Sequence, residues 1–269
     1  MISQLEKKIA LRYLRTRKKD GFLNLISIFS FIGIALGVAV LIIVMSVMNG
    51  FRSELINKIV GFNAHAVIET YGEPIDEDKI KKLKLENITT NFIYTNSGEG
   101  VLINKEYTKG LLLRGYSRID FQKLDITSDD RFRGNKNLNR KHISIGKELS
   151  FSNNIKIGDK ILIMSPSGEE TIIGNLPKQE AYIVESIFDS GIADFDENVA
   201  FININDLEKL FDLKNSNRVL ELYLKDPIKI EKTKIKLNNI FTDEYVYTWS
   251  DLNKSLFSAL KVERNVMFI

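Results

Sequence analysis

Along the first twenty residues apolar and basic positions alternate at helical spacing, and then the pattern changes: from Gly21 to Phe51 the chain carries no Lys, Arg, Asp or Glu. A bilayer core about 30 Å thick is crossed by about 20 helical residues, so residues 21–51 predict one full transmembrane helix. The apolar region of a cleaved signal peptide is about 7–15 residues; this run is longer and is expected to be retained. Upstream, Ile2, Leu5, Ile9, Tyr13 and Leu14 recur on one face, against Lys7, Lys8, Arg12 and Arg15 on the other. That spacing predicts a basic amphipathic helix within residues 1–20, lying on the anionic cytoplasmic leaflet or docking onto a cytoplasmic partner.

After the span the patterns mix. Runs at 65–69, 92–95, 101–103, 111–114, 160–164, 181–188, 198–202, 219–224 and 245–249 read as strands. Helical runs cover 76–84, 206–213 and 227–240, the last with Asp226 as N-cap and Pro227 in the first turn. Gly158-Asp159 marks a tight turn. Strands and helices do not alternate regularly, so the reading is an α+β domain of mixed, mostly antiparallel strands over residues 52–256. Ser250 is the expected N-cap of a helix through Asp251, Leu256, Leu260 and Lys261 that turns apolar at Val266 to Ile269. Residues 257–269 are therefore expected to begin a second membrane helix in a chain cut short.

Charge fixes the expected orientation. The net charge is +3, with seven basic residues among the first twenty, whereas the stretch after the span carries Arg52 and Lys58 against Glu54, Glu69, Glu73, Asp76, Glu77 and Asp78. The positive-inside rule then puts the N-terminus in the cytoplasm and the large domain on the far side of the inner membrane. The remainder is close to neutral, which argues against a nucleic-acid partner. Within the span Ser30, Gly33 and Gly37 form a small-residue stripe that lets another helix approach closely.

Candidate chemistry is sparse. The chain has no cysteine and two histidines, His65 and His142, with no metal-ligand spacing. Residues Gly110 to Ser117 have the glycine spacing of a phosphate-binding loop, but Tyr116 stands where the lysine must be and the interior is an apolar strand. The chain is expected to hydrolyse no ATP and to hold no cofactor. Asp189, Asp194, Asp196 and Glu197 around Gly191 lack a calcium-loop spacing and read as a solvated turn. The most unusual segment is 165–179, with prolines at 166 and 177, glycines at 168 and 174, and apolar Ile172, Ile173 and Leu176. It reads as a projecting hairpin, either folded back on the core or presenting an apolar tip to a partner.

Four stretches carry a family likeness: Ala10-Leu11-Arg12-Tyr13-Leu14-Arg15; Gly33-Ile34-Ala35-Leu36-Gly37; Val44-Met45-Ser46-Val47-Met48-Asn49-Gly50-Phe51; and Trp249 followed by Phe257, Ala259-Leu260 and Glu263. On these the chain resembles the membrane subunits of bacterial lipoprotein-releasing ABC transporters, the LolC/LolE type, over essentially its whole length. The resemblance implies four membrane helices with a periplasmic domain between the first and second. It also implies a non-catalytic subunit working with a second permease copy or paralogue and a cytoplasmic ATPase that binds ATP and Mg. Such a complex moves mature lipoproteins out of inner-membrane lipid to a periplasmic carrier. By the same resemblance Pro166, Ser167, Thr171, Gly174, Pro177 and Gln179, with Ile172, Ile173 and Leu176, form the hook that recruits the carrier. This chain departs from the hook pattern by being shorter between Ser167 and Thr171, and by Ile172 where a proline is common. Val44, Met45 and Met48 would line the cavity that accepts acyl chains; methionine repacks readily around varied apolar ligands. The other readings are a mechanotransmission exporter or cell-division permease of the same superfamily, and a single-pass anchored binding domain.

Overall fold

The computed structural model describes residues 4–14, 21–61, 63–70, 72–104, 107–171, 174–255, 258–259 and 262, without the side chains of 167–176 and of a few helical positions. Two compact units result, Met1–Leu55 with Glu263–Ile269, and Ile56–Val262.

In the first unit lie α1 (Gln4–Leu14) and most of α2 (Gly21–Val60). The helix does not stop at Phe51 but runs on to Val60, and its stretch Leu25–Lys58 is long and apolar enough to cross a membrane. Leucine and alanine supply helix propensity, and the apolar side chains point outward all round, as in a helix that is covered on every face by a bilayer or by other protein. The expected start of a second span, 257–269, lies outside the described residues apart from 258–259 and 262.

Among the described residues, the second unit is built on ten strands. In chain order they and their helices are β1 (Ala66–Glu69), α3 (Glu77–Glu86), β2 (Thr89–Ile103), β3 (Thr108–Tyr116), α4 (Arg118–Phe121), α5 (Asp125–Ser128), β4 (Arg133–Gly134), β5 (His142–Gly146) and α6 (Lys147–Ser152). There follow β6 (Lys160–Thr171), β7 (Gly174–Phe188), α7 (Ala193–Asn198), β8 (Val199–Asn203), α8 (Ile204–Phe211), β9 (Val219–Leu224), α9 (Ile230–Ile240), β10 (Tyr245–Thr248) and α10 (Trp249–Leu252). The strand order is β10-β1-β9-β2-β3-β8-β5-β7-β4, with β6 joined to both β2 and β7. Pairing is antiparallel except for β3 with β8 and β5 with β7. The α+β fold with mostly antiparallel strands is therefore as the pattern predicts.

Because β6 bonds β2 on one side and β7 on the other, the strands β2, β3, β8, β5, β7 and β6 close into a ring. Closure removes open edges and turns one face of every strand inward. Leu102, Leu113, Ile143, Ile145, Ile163, Tyr182 and Val184 fill the interior, and α8 adds Leu207, Leu210 and Phe211. Gly98 and Gly100 make room there: a Cβ at Gly98 would come within 2.8 Å of the Phe211 ring, and one at Gly100 within 3.0 Å of Leu113. Outside the ring, α3 with Leu83, α9 with Ile230 and Leu237, and α10 with Trp249 cover β1, β9 and β10.

Asn203 starts α8, its side chain accepting from the Asn205 N–H at 3.1 Å and donating to the Leu138 carbonyl at 3.3 Å. An N-cap replaced by alanine costs about 1 kcal/mol, so Asn203→Ala should lower the unfolding free energy by roughly that amount in urea titrations, with an unchanged slope. Two expected features are corrected. Thr248, not Ser250, caps α10, in a reciprocal pair with Asp251, while Ser250 sits inside the helix and hydrogen-bonds the Thr248 hydroxyl at 2.9 Å. The acidic stretch at 189–197 is not a solvated turn: it opens α7, and Asp196 is buried, accepting from the Ser190 N–H at 3.0 Å.

Candidate functional site

Strands β6 and β7 are neighbouring staves of the ring, and they outrun it. The last β6 residue bonded to β2 is Met164; beyond it Ser165 faces Lys178, Gly168 faces Pro177, and the ladder continues to Thr171 opposite Gly174. Residues 165–171 and 174–178 thus form a two-stranded projection whose backbone partners, among the described residues, are its own two arms. The ladder is irregular between Ser165 and Gly168, where Pro166 falls. Proline supplies no N–H and is tolerated at edges and bulges; Pro166 and Pro177 are both exposed here. They also blunt the arms against pairing with a stray strand. Gln179 is exposed at the base, its amide nitrogen 3.8 Å from the Met164 sulfur. One residue further, Glu180 is held by Lys141 at 2.5 Å, with Lys209 at 3.9 Å. The structure thus brings Pro166, Pro177 and Gln179 together on one hairpin, with the backbones of Ser167, Thr171, Gly174 and Leu176; Ile172 and Ile173 lie outside the described residues.

Ser30, Gly33, Gly37, Val44 and Met48 fall at helical spacings of three, four and seven, so on α2 they form one stripe. A Cβ at Gly33 or Gly37 would meet nothing within 4 Å. Val44 is 49% exposed, whereas Met45 and Met48 are half-buried.

Pattern reading missed the outer face of the ring below the hairpin. Register puts Val101, Ile103, Leu112, Leu162, Met164, Ala181 and Ile183 on the side opposite the packed interior. Leu112 is 40% and Ile183 42% exposed, and the others are half-buried. The signal was present in 101–103, 111–113 and 161–164, where apolar residues run consecutively instead of alternating. Such runs supply both faces of a strand with apolar side chains.

The remaining candidates are occupied within the protein. The phosphate-loop look-alike is strand β3. Asp189 takes Arg131 and Lys147, Glu197 takes Lys109, and Asp194 takes the Asn198 amide. Burial raises the Asp189 carboxyl, but Lys147, the Gly191 N–H and Arg131 together hold it below its ordinary value. Deeper in, Glu221 on β9 accepts from Arg114 on β3 and, at 2.9 Å, from the Tyr116 hydroxyl, with the Tyr223 hydroxyl at 3.3 Å. Burial disfavours the Arg114 charge, yet Glu221 beside it more than offsets this and keeps the guanidinium protonated.

Against known families, residues 27–240 match the MacB-like periplasmic core domain. The chain belongs to that family. Relatives include the lipoprotein-releasing system transmembrane protein LolC of Xylella fastidiosa, 28% identical over 280 residues, which takes in 100% of this chain and 66% of that protein. LolC of Neisseria meningitidis serogroup B is 29% identical over 274 residues, 98% of this chain and 66% of that protein. The chain thus spans just under two thirds of the length of these relatives. Among solved structures, the periplasmic region of MacB from Actinobacillus actinomycetemcomitans overlays 74% of this chain and 95% of its own length, at 8% identity and a TM-score of 0.45. The match to the LolC type extends along the whole chain and includes the apolar helix as well as the family domain.

Proposed function

We propose that this chain is part of a permease subunit of an ABC transporter that releases mature lipoproteins from the inner membrane and passes them to a periplasmic carrier. The observation that carries the reading is the hairpin 165–179, a prolongation of two ring strands beyond any neighbour, in a chain similar throughout to LolC proteins. In this reading α2 crosses the inner membrane with its N-terminus in the cytoplasm, and the ten-stranded unit is periplasmic. The hairpin, with Pro166, Ser167, Thr171, Ile172, Ile173, Gly174, Leu176, Pro177 and Gln179, docks the carrier. Ser30, Gly33 and Gly37 pack against a helix of the same subunit or of a second permease. Val44 and Met48, continuing that stripe, and Met45 beside them face the lipoprotein acyl chains. Hydrolysis of ATP with its Mg belongs to a separate cytoplasmic ATPase, and this chain does no covalent chemistry.

The test is a pull-down of purified carrier by the full chain in detergent, comparing wild type with the double variant Ile173→Asp, Leu176→Asp. Two charges placed in an apolar contact leave them desolvated and without partners, which weakens binding by about tenfold or more. Wild type should retain carrier and the variant should lose it, with unchanged circular dichroism. Equal retention by both would remove the hairpin from carrier docking.

A further inference from the structure

His65 lies between the end of α2 and the start of β1, and no part of the proposed transport function uses it. Its ring is fixed by two backbone groups. The Leu224 N–H donates to Nδ1 at 2.7 Å, and Nε2 lies 3.2 Å from the Val60 carbonyl in the last turn of α2. An amide N–H can be accepted only by an unprotonated ring nitrogen, and a carbonyl can be met only by a protonated one. The arrangement therefore selects one species, the neutral ring carrying its hydrogen on Nε2. The backbone of the same residue donates to the Leu222 carbonyl at 2.9 Å and accepts from the Trp249 N–H at 3.0 Å. One residue so joins the last turn of α2, strand β9 and the start of α10.

We propose that His65 is a pH-operated latch, holding the end of α2 against β9 when neutral and releasing the β9 side when protonated. A second ring proton turns Nδ1 into a donor that points at the Leu224 N–H, so a 2.7 Å hydrogen bond becomes a repulsion. The contact to Val60 survives protonation, since a helix C-terminal carbonyl favours a cation; the break is confined to Leu224.

The surroundings set the direction. On β9, Tyr223 stands edge-on with ring centroids 5.7 Å apart, and Glu221 is already taken up by Arg114, Tyr116 and Tyr223. Arg114 on β3 reaches Asn63 at 3.3 Å. Asp125 on α5 is the acid whose field favours the ring's proton; Lys58 on α2 is exposed, and Asp251 on α10 is bound by Lys234 and Thr248. Burial lowers the His65 pKa and outweighs the groups that raise it, the Val60 carbonyl and Asp125 among them. A folded-state pKa below the unfolded value means that the unfolded chain binds the proton more readily. The latch is thus intact above about pH 6.5, the ordinary histidine value, and weakens as pH falls through and below it.

The experiment uses the full chain in detergent with 15N-labelled histidine. At neutral pH the His65 ring should show a bare Nδ1 and a protonated Nε2, titrating below the ordinary histidine value. Hydrogen exchange at Leu224, corrected for intrinsic rates, should lose about tenfold or more of its protection across that titration. In His65→Asn the amide oxygen takes the place of Nδ1 as a non-titrating acceptor, and protection at Leu224 should become independent of pH. A protonated Nδ1 at neutral pH, Leu224 protection that ignores the titration, or an Asn variant with wild-type pH dependence would each overturn the latch.

Discussion

Glu221→Leu should lower the unfolding free energy of the ten-stranded unit by about 3–5 kcal/mol, the cost of leaving a buried charge without its partner. Arg114 would lose its counter-ion, with the Arg114 and Glu221 side chains only 12% and 5% exposed, and the Tyr116 hydroxyl its acceptor. The measurement is urea unfolding of the full chain followed by the fluorescence of its one tryptophan, Trp249, which is 2% exposed and donates to the Pro227 carbonyl at 2.9 Å. The double change Arg114→Met, Glu221→Leu should recover much of the loss, because a well-packed apolar pair avoids the desolvation penalty of both ions. A single variant costing less than about 1 kcal/mol would mean that water reaches the pair and screens it.

Gly146→Ala is expected to cost about 3 kcal/mol, at the upper end of overpacking. Its φ of −76° is ordinary, so backbone conformation is not the reason. The obstruction is a neighbour: a Cβ there would sit 2.0 Å from the Asp196 carbonyl oxygen and 2.5 Å from its Cα. These are backbone atoms of α7 that no rotamer change can move, so α6 and α7 must separate. Gly110→Ala is the control. A Cβ at Gly110 meets nothing within 4 Å, and a surface change of that kind stays within about 0.5 kcal/mol. If the same urea titrations show the two alanines costing alike, the close approach of α7 to Gly146 is wrong.

Much of this fold could be read from residue pattern, and the failures have physical causes. The runs at 92–95 and 101–103 are one strand, β2, hidden by Asn96-Ser97-Gly98-Glu99-Gly100 between them. Asn96 is polar because it donates to Glu208 at 3.0 Å, and the two glycines yield space to Phe211 and Leu113. Strand β5 escaped notice because His142-Ile143-Ser144-Ile145-Gly146 is short and half polar. Ser144 is nonetheless buried, satisfied by the Ser186 hydroxyl at 2.8 Å. Ring closure was out of reach, since it depends on β6 finding β2 across the sequence as well as β7 beside it. For the candidate site, prolines and glycines at 165–179 announced a projection, because they disrupt ladders locally. The apolar outer face beneath it needed register, which a sequence does not print.

Strand β1 has a consequence for how this chain must be made. Its two partners, β9 and β10, come more than 150 residues later. Contacts so distant in sequence close late and slowly. Until β9 emerges, Ala66-Val67-Ile68 waits beside the apolar helix as an unmatched sticky segment, while the ring formed by residues between them can already assemble. A ribosome stalled once β8 and α8 have cleared its exit tunnel, but before β9 has, should therefore leave a nascent chain with a finished ring and an aggregation-prone stump; one stalled after β10 has cleared it should not.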